Sequence, residues 1–390
     1  MPCIGTGQMY NVYQHWDPLK VCIVGRSYSP KFYDYIKDHN VRQVFYKIAE
    51  ETEEDYQTLI AKLESFGITV LRPEVSDNYK DHVDKDGKIM TPPMTPRDYT
   101  AMFGSKFFIS DRYKKTTLWN DLAGANWPDC PKSKEEFDAL PLNILNEIVT
   151  FGKIYNDFEK YNPYEKIIKE IEKQGNPVYN NPVANTATIT RIGKDLYFGK
   201  KTLDVSGLVE SVINYDSILP LLPEFRHQYI DSVGHTDGIF CPVHPGLIVS
   251  IMDSPIYQDS FPEWEVIYLP GQGWSAVSDF LTLKEKNAGK WWVPGQELND
   301  DFTNYVETWM NHWVGYVEET VFDVNMLVID QKNVICNNYN KTVFDAFDRY
   351  GITPHVINFR HRYFWDGGLH CITSDLDRDG YMQNFFPTRS

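Results

Sequence analysis

Short runs of apolar residues recur along the whole chain, and turn residues separate them. The clearest run, residues 20–25, follows Asp17-Pro18 and ends on a glycine, as a buried strand does. Runs of this kind predict strands rather than amphipathic helices, because they are short and show no helical period. We predict strands at residues 20–25, 68–71, 99–103, 195–198, 247–251, 266–269, 326–329 and 333–336.

A second pattern, with apolar positions three and four residues apart, predicts helices. It covers residues 51–66, 164–173, 302–317 and 343–350. Gly67 and Gly351 directly follow the first and last of these segments, where helices commonly end. Charged residues are dense over 164–173, so we expect a surface helix with its isoleucines turned inward.

The order of these elements indicates the fold class. A strand–helix–strand unit spans residues 21–71 and another spans 326–357, while strand pairs recur between them without a clear sequence repeat. This order is typical of an α/β protein built from several similar small units. No low-complexity linker divides the chain, so we expect one domain over residues 1–390.

Composition narrows the classes of function. The chain has 38 basic and 54 acidic side chains, a net charge of −16 with histidines neutral. This balance argues against binding to nucleic acid or to an anionic membrane. It mildly favours a cationic ligand, but an acidic soluble surface is the better explanation of the total charge. The hydrophobic fraction of 42% is ample for a core.

Cysteine spacing and the chain start bear on compartment and cofactors. The six cysteines are scattered without a CxxC pair, so neither a disulfide framework nor a zinc site is indicated. No secretory signal and no membrane-length apolar stretch is evident, and we expect a cytoplasmic protein. No phosphate, dinucleotide or metal motif appears, so no cofactor is expected. A homodimer is compatible with the sequence, which has no feature that fixes the oligomeric state.

Two polar clusters carry candidate chemistry. Cys371 follows the paired glycines 367 and 368, and far upstream His235 and Asp237 lie between glycines. A thiol, an imidazole and a carboxylate are the parts that a cysteine-nucleophile enzyme needs. Ordinary alternatives exist: Cys22 and Cys336 lie in apolar runs and are expected to be small buried hydrophobic residues.

The two clusters also allow other interpretations. His235 could be a turn residue capped by Asp237. With His370 and Cys371, the same residues could form a mixed metal site, but adjacent side chains ligate one ion poorly.

Four segments resemble the amidinotransferases, within the guanidino-modifying or pentein superfamily. They are residues 15–25, the Met-Thr-Pro-Arg-Asp segment at 94–98, Gly-His-Thr-Asp at 234–237, and Gly-Gly-Leu-His-Cys at 367–371. The resemblance implies a five-bladed α/β propeller with pseudo-fivefold symmetry and an active site in a central channel. Loops from different blades would then bring distant residues together.

The resemblance also implies roles. Cys371 would attack the guanidino carbon, and His235 would act as acid and then base. Asp98 and Asp237 would hold the guanidinium through charge-assisted hydrogen bonds, with Arg97 and His370 as neighbouring substrate contacts. The implied reaction moves the amidino group of arginine, or a related guanidino donor, to a small amine or amino acid such as glycine. It passes through an amidino-cysteine and releases ornithine.

Two departures from the family pattern keep other functions open. Asn185 and Thr188 stand where acids are usual, and a threonine at 188 could orient His235 but could not stabilise its charged form as a carboxylate does. Ser254 stands where arginine-using members often carry an arginine. Either the donor is a guanidino compound other than arginine, or Arg97, Arg191 or Arg360 binds its carboxylate instead. A guanidino hydrolase and a catalytically weakened guanidino-binding protein therefore remain alternatives to transfer.

Overall fold

The structure is a computed structural model that describes residues 9–82, 89–110, 162–181, 186–200, 215–232, 235–251, 256–269, 291–310, 313–314, 324–365 and 367–389. The helices within these ranges are α1 (His39–Ser65), α2 (Pro96–Tyr99), α3 (Glu165–Lys173), α4 (Ile256–Ser260), α5 (Asp300–Trp309), α6 (Lys341–Tyr350) and α7 (Arg362–Trp365). The strands are β1 (Leu19–Val24), β2 (Thr69–Leu71), β3 (Thr100–Phe103), β4 (Lys106–Ser110), β5 (Val178–Asn181), β6 (Ile189–Ile192), β7 (Asp195–Lys200), β8 (Arg226–Asp231), β9 (Phe240–His244), β10 (Leu247–Ser250), β11 (Glu265–Tyr268), β12 (Leu327–Asp330), β13 (Asn333–Cys336), β14 (Thr353–Val356) and β15 (Thr373–Arg378).

These strands form five three-stranded sheets that repeat one arrangement. The orders are β15-β1-β2, β3-β4-β5, β6-β7-β8, β9-β10-β11 and β12-β13-β14. In each sheet the middle strand is antiparallel to the first strand of that order and parallel to the third. A parallel neighbour requires a crossover connection, and helices α1, α3, α4 and α6 provide it in four sheets. The described chain therefore contains five copies of one small mixed unit.

The first sheet joins the two ends of the described chain. β15 pairs with β1 in antiparallel register, with Val24 opposite Thr373 and Cys22 opposite Asp375. The residues just before β15 therefore lie next to the end of β1. This pairing fixes the position of Cys371 relative to the N-terminal part of the protein.

The longest helix, α1, begins well before the predicted start at residue 51. Asp38 caps its first turn by accepting a hydrogen bond from the Val41 N–H at 3.0 Å. The helix buries one face, on which Phe45 stacks on Tyr33 with ring centroids 5.1 Å apart. It ends before Gly67, whose φ of +78° lies in the left-handed region that favours glycine.

The predicted pattern of elements is largely confirmed. All eight predicted strand runs overlap observed strands, and the segments 164–173 and 343–350 fall on α3 and α6. The isoleucines of α3 are turned inward, with Ile167 and Ile171 buried. The prediction of a helix to residue 317 was wrong, because α5 ends at Trp309. Within the described ranges, no helix has the length and apolarity needed to cross a membrane.

Candidate active site

Five short segments meet at one place, and each lies directly before the first strand of a different sheet. α2 leads into β3, the turn Thr186–Thr188 leads into β6, and the turn Thr236–Gly238 leads into β9. Asn325 stands just before β12, and Cys371 stands just before β15. The same topological position in all five sheets therefore contributes to one cluster of side chains.

Hydrogen bonds between these segments follow the order of the sheets. The Arg97 N–H donates to the carbonyl oxygen of Cys371 at 3.3 Å. The carbonyl oxygen of Arg97 in turn accepts from Thr186 Oγ1 at 2.5 Å. Thr236 Oγ1 donates to the carbonyl oxygen of Ala187 at 2.8 Å, which links the turn Thr186–Thr188 to the turn Thr236–Gly238.

Asn325 closes this ring of hydrogen bonds. Its Nδ2 donates to the carbonyl oxygen of Asp237 at 3.4 Å, and its Oδ1 accepts from the N–H groups of His370 and Cys371 at 2.8 and 3.1 Å. Asn325 is a residue that the sequence analysis missed. No motif surrounds it, and only its place before β12 identifies it.

The Cys371 thiol has two polar neighbours in this cluster. Its Sγ donates to Asp237 Oδ2 at 3.5 Å and accepts from Asn325 Nδ2 at 2.9 Å. The residue is only 1% exposed. Its polar surroundings contrast with those of Cys22 and Cys336, which are buried as predicted, Cys22 at 0% and Cys336 at 3% exposure. Burial raises the pKa of the Cys22 thiol to about 12, as expected for an unreactive thiol.

Asp237 also pairs with His370. His370 Nδ1 lies 2.7 Å from Asp237 Oδ2, and both side chains are 7% exposed. Burial alone raises the pKa of Asp237, but the hydrogen bond and charge of His370, together with His235 and Arg97, lower it overall. Asp237 is therefore an ionised acceptor, and His370 Nδ1 carries the proton. Among the described residues, Asp237 Oδ1 is buried without a hydrogen-bond partner.

Asp98 and His235 face each other at the more open side of the cluster. Asp98 Oδ1 lies 3.7 Å from His235 Nδ1, and their side chains are 16% and 22% exposed. Asp98 belongs to the single turn of α2, and His235 directly precedes the turn Thr236–Gly238. The predicted acid/base residue and one predicted guanidinium-binding residue therefore face each other from the segments before β9 and β3, which the turn Thr186–Thr188 separates in the ring.

Thr188 lies in the turn Thr186–Thr188, directly before β6, and is buried. Its hydroxyl forms a hydrogen bond with the hydroxyl of Tyr215. Tyr215 donates in turn to the carbonyl oxygen of Gly199 at 2.9 Å. Two of the predicted site residues, Asn185 and Ser254, lie outside the described residues.

The arginines considered for a substrate carboxylate are already in ion pairs. Arg97 is buried, and its Nη1 bonds Asp375 Oδ1 at 2.8 Å while its Nε bonds the carbonyl oxygen of Thr373. Arg191 Nη2 contacts both oxygens of Asp375. Arg360 pairs with carboxylates of α1. Within the part of the chain that the structure describes, no group of three His, Cys, Asp or Glu side chains could hold a metal ion.

The ring of His15 stacks on that of His370, and the burial of His15 leads us to expect that the free energy of unfolding falls in acid. The two rings lie 5.3 Å apart, and His15 is buried. Burial and then the charge of Arg191 lower the pKa of His15 well below its usual value. Below about pH 6.5 the unfolded chain therefore binds a proton that the folded protein excludes, which lowers the free energy of unfolding by about 1.4 kcal/mol per pH unit.

We expect His15→Asn to reduce that pH dependence, measured by urea denaturation at about pH 7.5 and about pH 5.5. His39→Asn, at an exposed position, is the control and should leave the slope at the wild-type value. An unchanged slope in His15→Asn would show that His15 is not a source of the acid sensitivity.

Comparisons with known proteins add to this geometry. The chain is 22% identical over 419 residues to mitochondrial glycine amidinotransferase of Xenopus tropicalis, covering 96% of this chain and 84% of that protein. It is 20% identical over 415 residues to inosamine-phosphate amidinotransferase 1 of Streptomyces glaucescens, covering 97% and 99%. The resemblance to the amidinotransferases is confirmed. No protein-family model matches the chain.

A solved amidinotransferase shares the fold. The amidinotransferase SxtG of Microseira wollei, from the saxitoxin biosynthetic pathway, superposes with a TM-score of 0.60 at 16% identity. The superposition covers 97% of this chain and 99% of that one. The predicted α/β class is thereby confirmed, and the likeness to this amidinotransferase extends over nearly the full length.

Proposed function

We propose that this protein is an amidinotransferase that moves the amidino group of arginine, or a related guanidino donor, to a small amine or amino-acid acceptor. The observation that carries the proposal is the contact of Cys371 Sγ with Asp237 Oδ2 at 3.5 Å, inside the ring that also holds Asp98 and His235. A nucleophile, two carboxylates and an imidazole from distant parts of the chain thus share one site. The amidinotransferase relatives support the same reaction class.

We also propose that the five sheets are the blades of a single α/β propeller over residues 1–390. The repeated strand order supports this arrangement, as does the ring of hydrogen bonds that runs through the segments before β3, β6, β9, β12 and β15 in sheet order. A ring with one contribution from each sheet is what an axis of pseudo-fivefold symmetry produces. The active site then lies at that axis, in the central channel.

The guanidinium of the donor is held by Asp98 and Asp237. A guanidinium is planar and offers its N–H groups in a fixed fork, which two carboxylates can grip with charge-assisted hydrogen bonds. The low pKa of Asp237 keeps it ionised, and the unpartnered Oδ1 is an acceptor for a bound N–H group. The other site residues predicted from the sequence remain proposed to orient His235 or to assist donor binding. They are Thr188, Asn185, Ser254, Arg97 and His370.

Cys371 then attacks the guanidino carbon, and His235 carries the protons. The thiol gives its proton to His235, the S–C bond forms, and a tetrahedral adduct results. The C–N bond to the departing amine breaks as His235 protonates that nitrogen, leaving an amidino-cysteine. With arginine as donor, the released amine is ornithine. The acceptor amine next loses a proton to His235 and attacks, the C–S bond breaks, and His235 returns that proton to the departing sulfur to restore the thiol.

The decisive experiment is incubation of the protein with arginine and a panel of small amines, followed by mass spectrometry of the products. We expect ornithine together with an amidinated acceptor in equal amounts. Citrulline and ammonia without an amidinated acceptor would instead indicate a hydrolase. Arginine binding without any product would indicate the weakened binding protein that Thr188 suggests.

The roles of the two carboxylates lead to a binding prediction. We expect Asp98→Asn to weaken arginine binding about 100-fold, because one charge-assisted grip on the guanidinium is lost. Calorimetric titration in a Cys371→Ala background measures this without turnover. Asp98 is half-buried and forms no part of a large apolar cluster, so stability should change little.

Asp345→Asn provides the control for this binding experiment. Asp345 forms an exposed ion pair with Lys341 on α6, and its replacement should leave arginine affinity at the parent value. An Asp98→Asn variant that binds arginine as tightly as its parent would remove Asp98 from the donor site.

A further inference from the structure

Asn325 contacts the sulfur of Cys371 as well as the backbone of the turn that carries it. The Nδ2 group is 2.9 Å from Cys371 Sγ, whereas Oδ1 accepts the N–H groups of both His370 and Cys371. The side chain is 1% exposed. One amide therefore uses its acceptor end to hold the backbone of the cysteine turn and its donor end to meet the sulfur.

The approach of Asn325 also explains the glycine at position 368. A Cβ on Gly368 would lie 2.6 Å from Asn325 Oδ1 and 2.8 Å from Asn325 Cβ, so any larger residue would displace the amide. A Cβ on Gly367 would similarly lie 2.8 Å from Thr95 Cγ2. The turn is therefore shaped to let Asn325 approach its backbone closely, which is an observation independent of the sulfur contact.

Asp237 and Asn325, which are polar neighbours of the sulfur among the described residues, act in opposite directions when the thiol loses its proton. Asp237 Oδ2 accepts from the thiol at 3.5 Å, and this contact becomes repulsive once the sulfur is negative. The N–H of Asn325 instead forms a stronger, charge-assisted hydrogen bond to a thiolate than to a thiol. Asn325 is thus the neighbour that favours the nucleophilic form.

We propose that Asn325 is a positioning residue for the reaction, which holds the Cys371 thiolate through its Nδ2–H group and fixes the turn through its Oδ1 atom. The proposal rests on the proposed role of Cys371 as nucleophile. It adds a contribution from the sheet β12-β13-β14, which none of the residues predicted from the sequence supplies.

The variant Asn325→Asp separates the two halves of this role. Aspartate keeps an acceptor oxygen for the two N–H groups but replaces the donor that faces the sulfur. We expect alkylation of Cys371 by iodoacetamide at about pH 7 to become about five- to tenfold slower, with its pH profile displaced to higher pH. We expect kcat for amidino transfer to fall about 100-fold, with a smaller change in KM.

Asn176→Asp is the matched control. Asn176 is also a buried asparagine, and its side chain bonds the N–H and carbonyl groups of Tyr10 and the carbonyl of Ser105. This variant measures the general cost of a buried aspartate. It should destabilise the protein while leaving the alkylation profile and kcat near wild type.

The alkylation measurement, read on the Cys371 peptide by mass spectrometry, does not require turnover. A wild-type pH profile in Asn325→Asp would overturn the proposal, whatever reaction the protein performs. If the wild-type protein shows no amidino transfer, the proposed function is overturned, but the pH profile of Cys371 alkylation can still be measured. If Asn325→Asp does not fold, Asn325→Ser removes the donor from reach of the sulfur without a buried charge, and the same displaced or unchanged profile decides.

Discussion

Cys371→Ala is expected to abolish amidino transfer, with kcat reduced by at least about 10⁴-fold. The reaction that we propose passes through a covalent bond to sulfur, and the described segments of the cluster contain no second thiol. The wild type incubated with arginine alone and quenched in acid should gain the mass of one amidino group on the Cys371 peptide. The variant should show neither this adduct nor ornithine release above background.

The control for this experiment is Cys22→Ala. Cys22 is a fully buried thiol in β1, and burial raises its pKa to about 12, so it should not react. Its replacement leaves a small cavity, and turnover should stay close to wild type. Amidino transfer that persists in Cys371→Ala would contradict the covalent mechanism, even if Asp98 and Asp237 bind the donor as proposed.

Eight of the fifteen described strands could be predicted, because each of them contains a short run of mostly apolar residues. Every residue of β10 is buried, and β1 and β13 each have a single residue that is not fully buried. Their apolar runs are visible in the sequence. β15 was not predicted, although it is almost entirely buried. Its buried positions include Asp375 and Arg378, which satisfy each other through an ion pair at 2.7 Å. Buried polar residues that are paired in space give no hydrophobic pattern in the sequence.

The start of α1 was missed although the sequence contains the signal for it. Asp38 is a favourable capping residue, and Val41, Phe45 and Ile48 repeat with helical spacing and are buried. Polar residues separate these apolar positions, so the helical pattern was not recognised there. The predicted helix therefore began only at residue 51. The error concerned a boundary rather than the existence of the helix.

Some residues of the candidate site could be predicted from the sequence, and one could not. Cys371, His235, Asp98 and Asp237 were found from local motifs and the family resemblance, and the structure places Cys371 against Asp237 and Asp98 against His235. Asn325 could not be found in this way, because a single asparagine before an apolar strand is unremarkable in sequence. Its importance comes from sheet order, which brings the residue before β12 next to the residue before β15.

Asp375 and the three arginines that bond it form a buried ionic cluster: Arg97, Arg191 and Arg378. Arg97 connects this cluster to the candidate site, since its backbone N–H bonds the carbonyl oxygen of Cys371 and its side chain bonds Asp375. Its positive charge helps to lower the pKa of Asp237. The resemblance assigned Arg97 to substrate binding, whereas the geometry describes its contacts within the protein. Arg97 therefore joins the buried ion pair with Asp375 to the backbone of Cys371.

Asp375→Asn is expected to cost about 3–5 kcal/mol of the free energy of unfolding, the largest effect on stability that we predict. Asp375 is fully buried and bonds the guanidinium groups of Arg97, Arg191 and Arg378 at 2.7–2.9 Å. Burial alone raises the pKa of Asp375, but these three arginines hold it well below its usual range. The amide of asparagine keeps the shape but leaves the buried positive charges without compensation.

Guanidinium chloride denaturation near pH 7 measures this loss, and Asp379→Asn is its control. Asp379 pairs with Lys20 at 3.1 Å on the surface, where the side chains are 70% and 50% exposed, so its replacement should cost about 0.5 kcal/mol or less. Both variants remove one carboxylate from an ion pair near the same end of the chain, and they differ in burial. If Asp375→Asn lowered the free energy of unfolding no more than Asp379→Asn does, the claim that Asp375 stabilises the protein by compensating the buried arginines would be wrong.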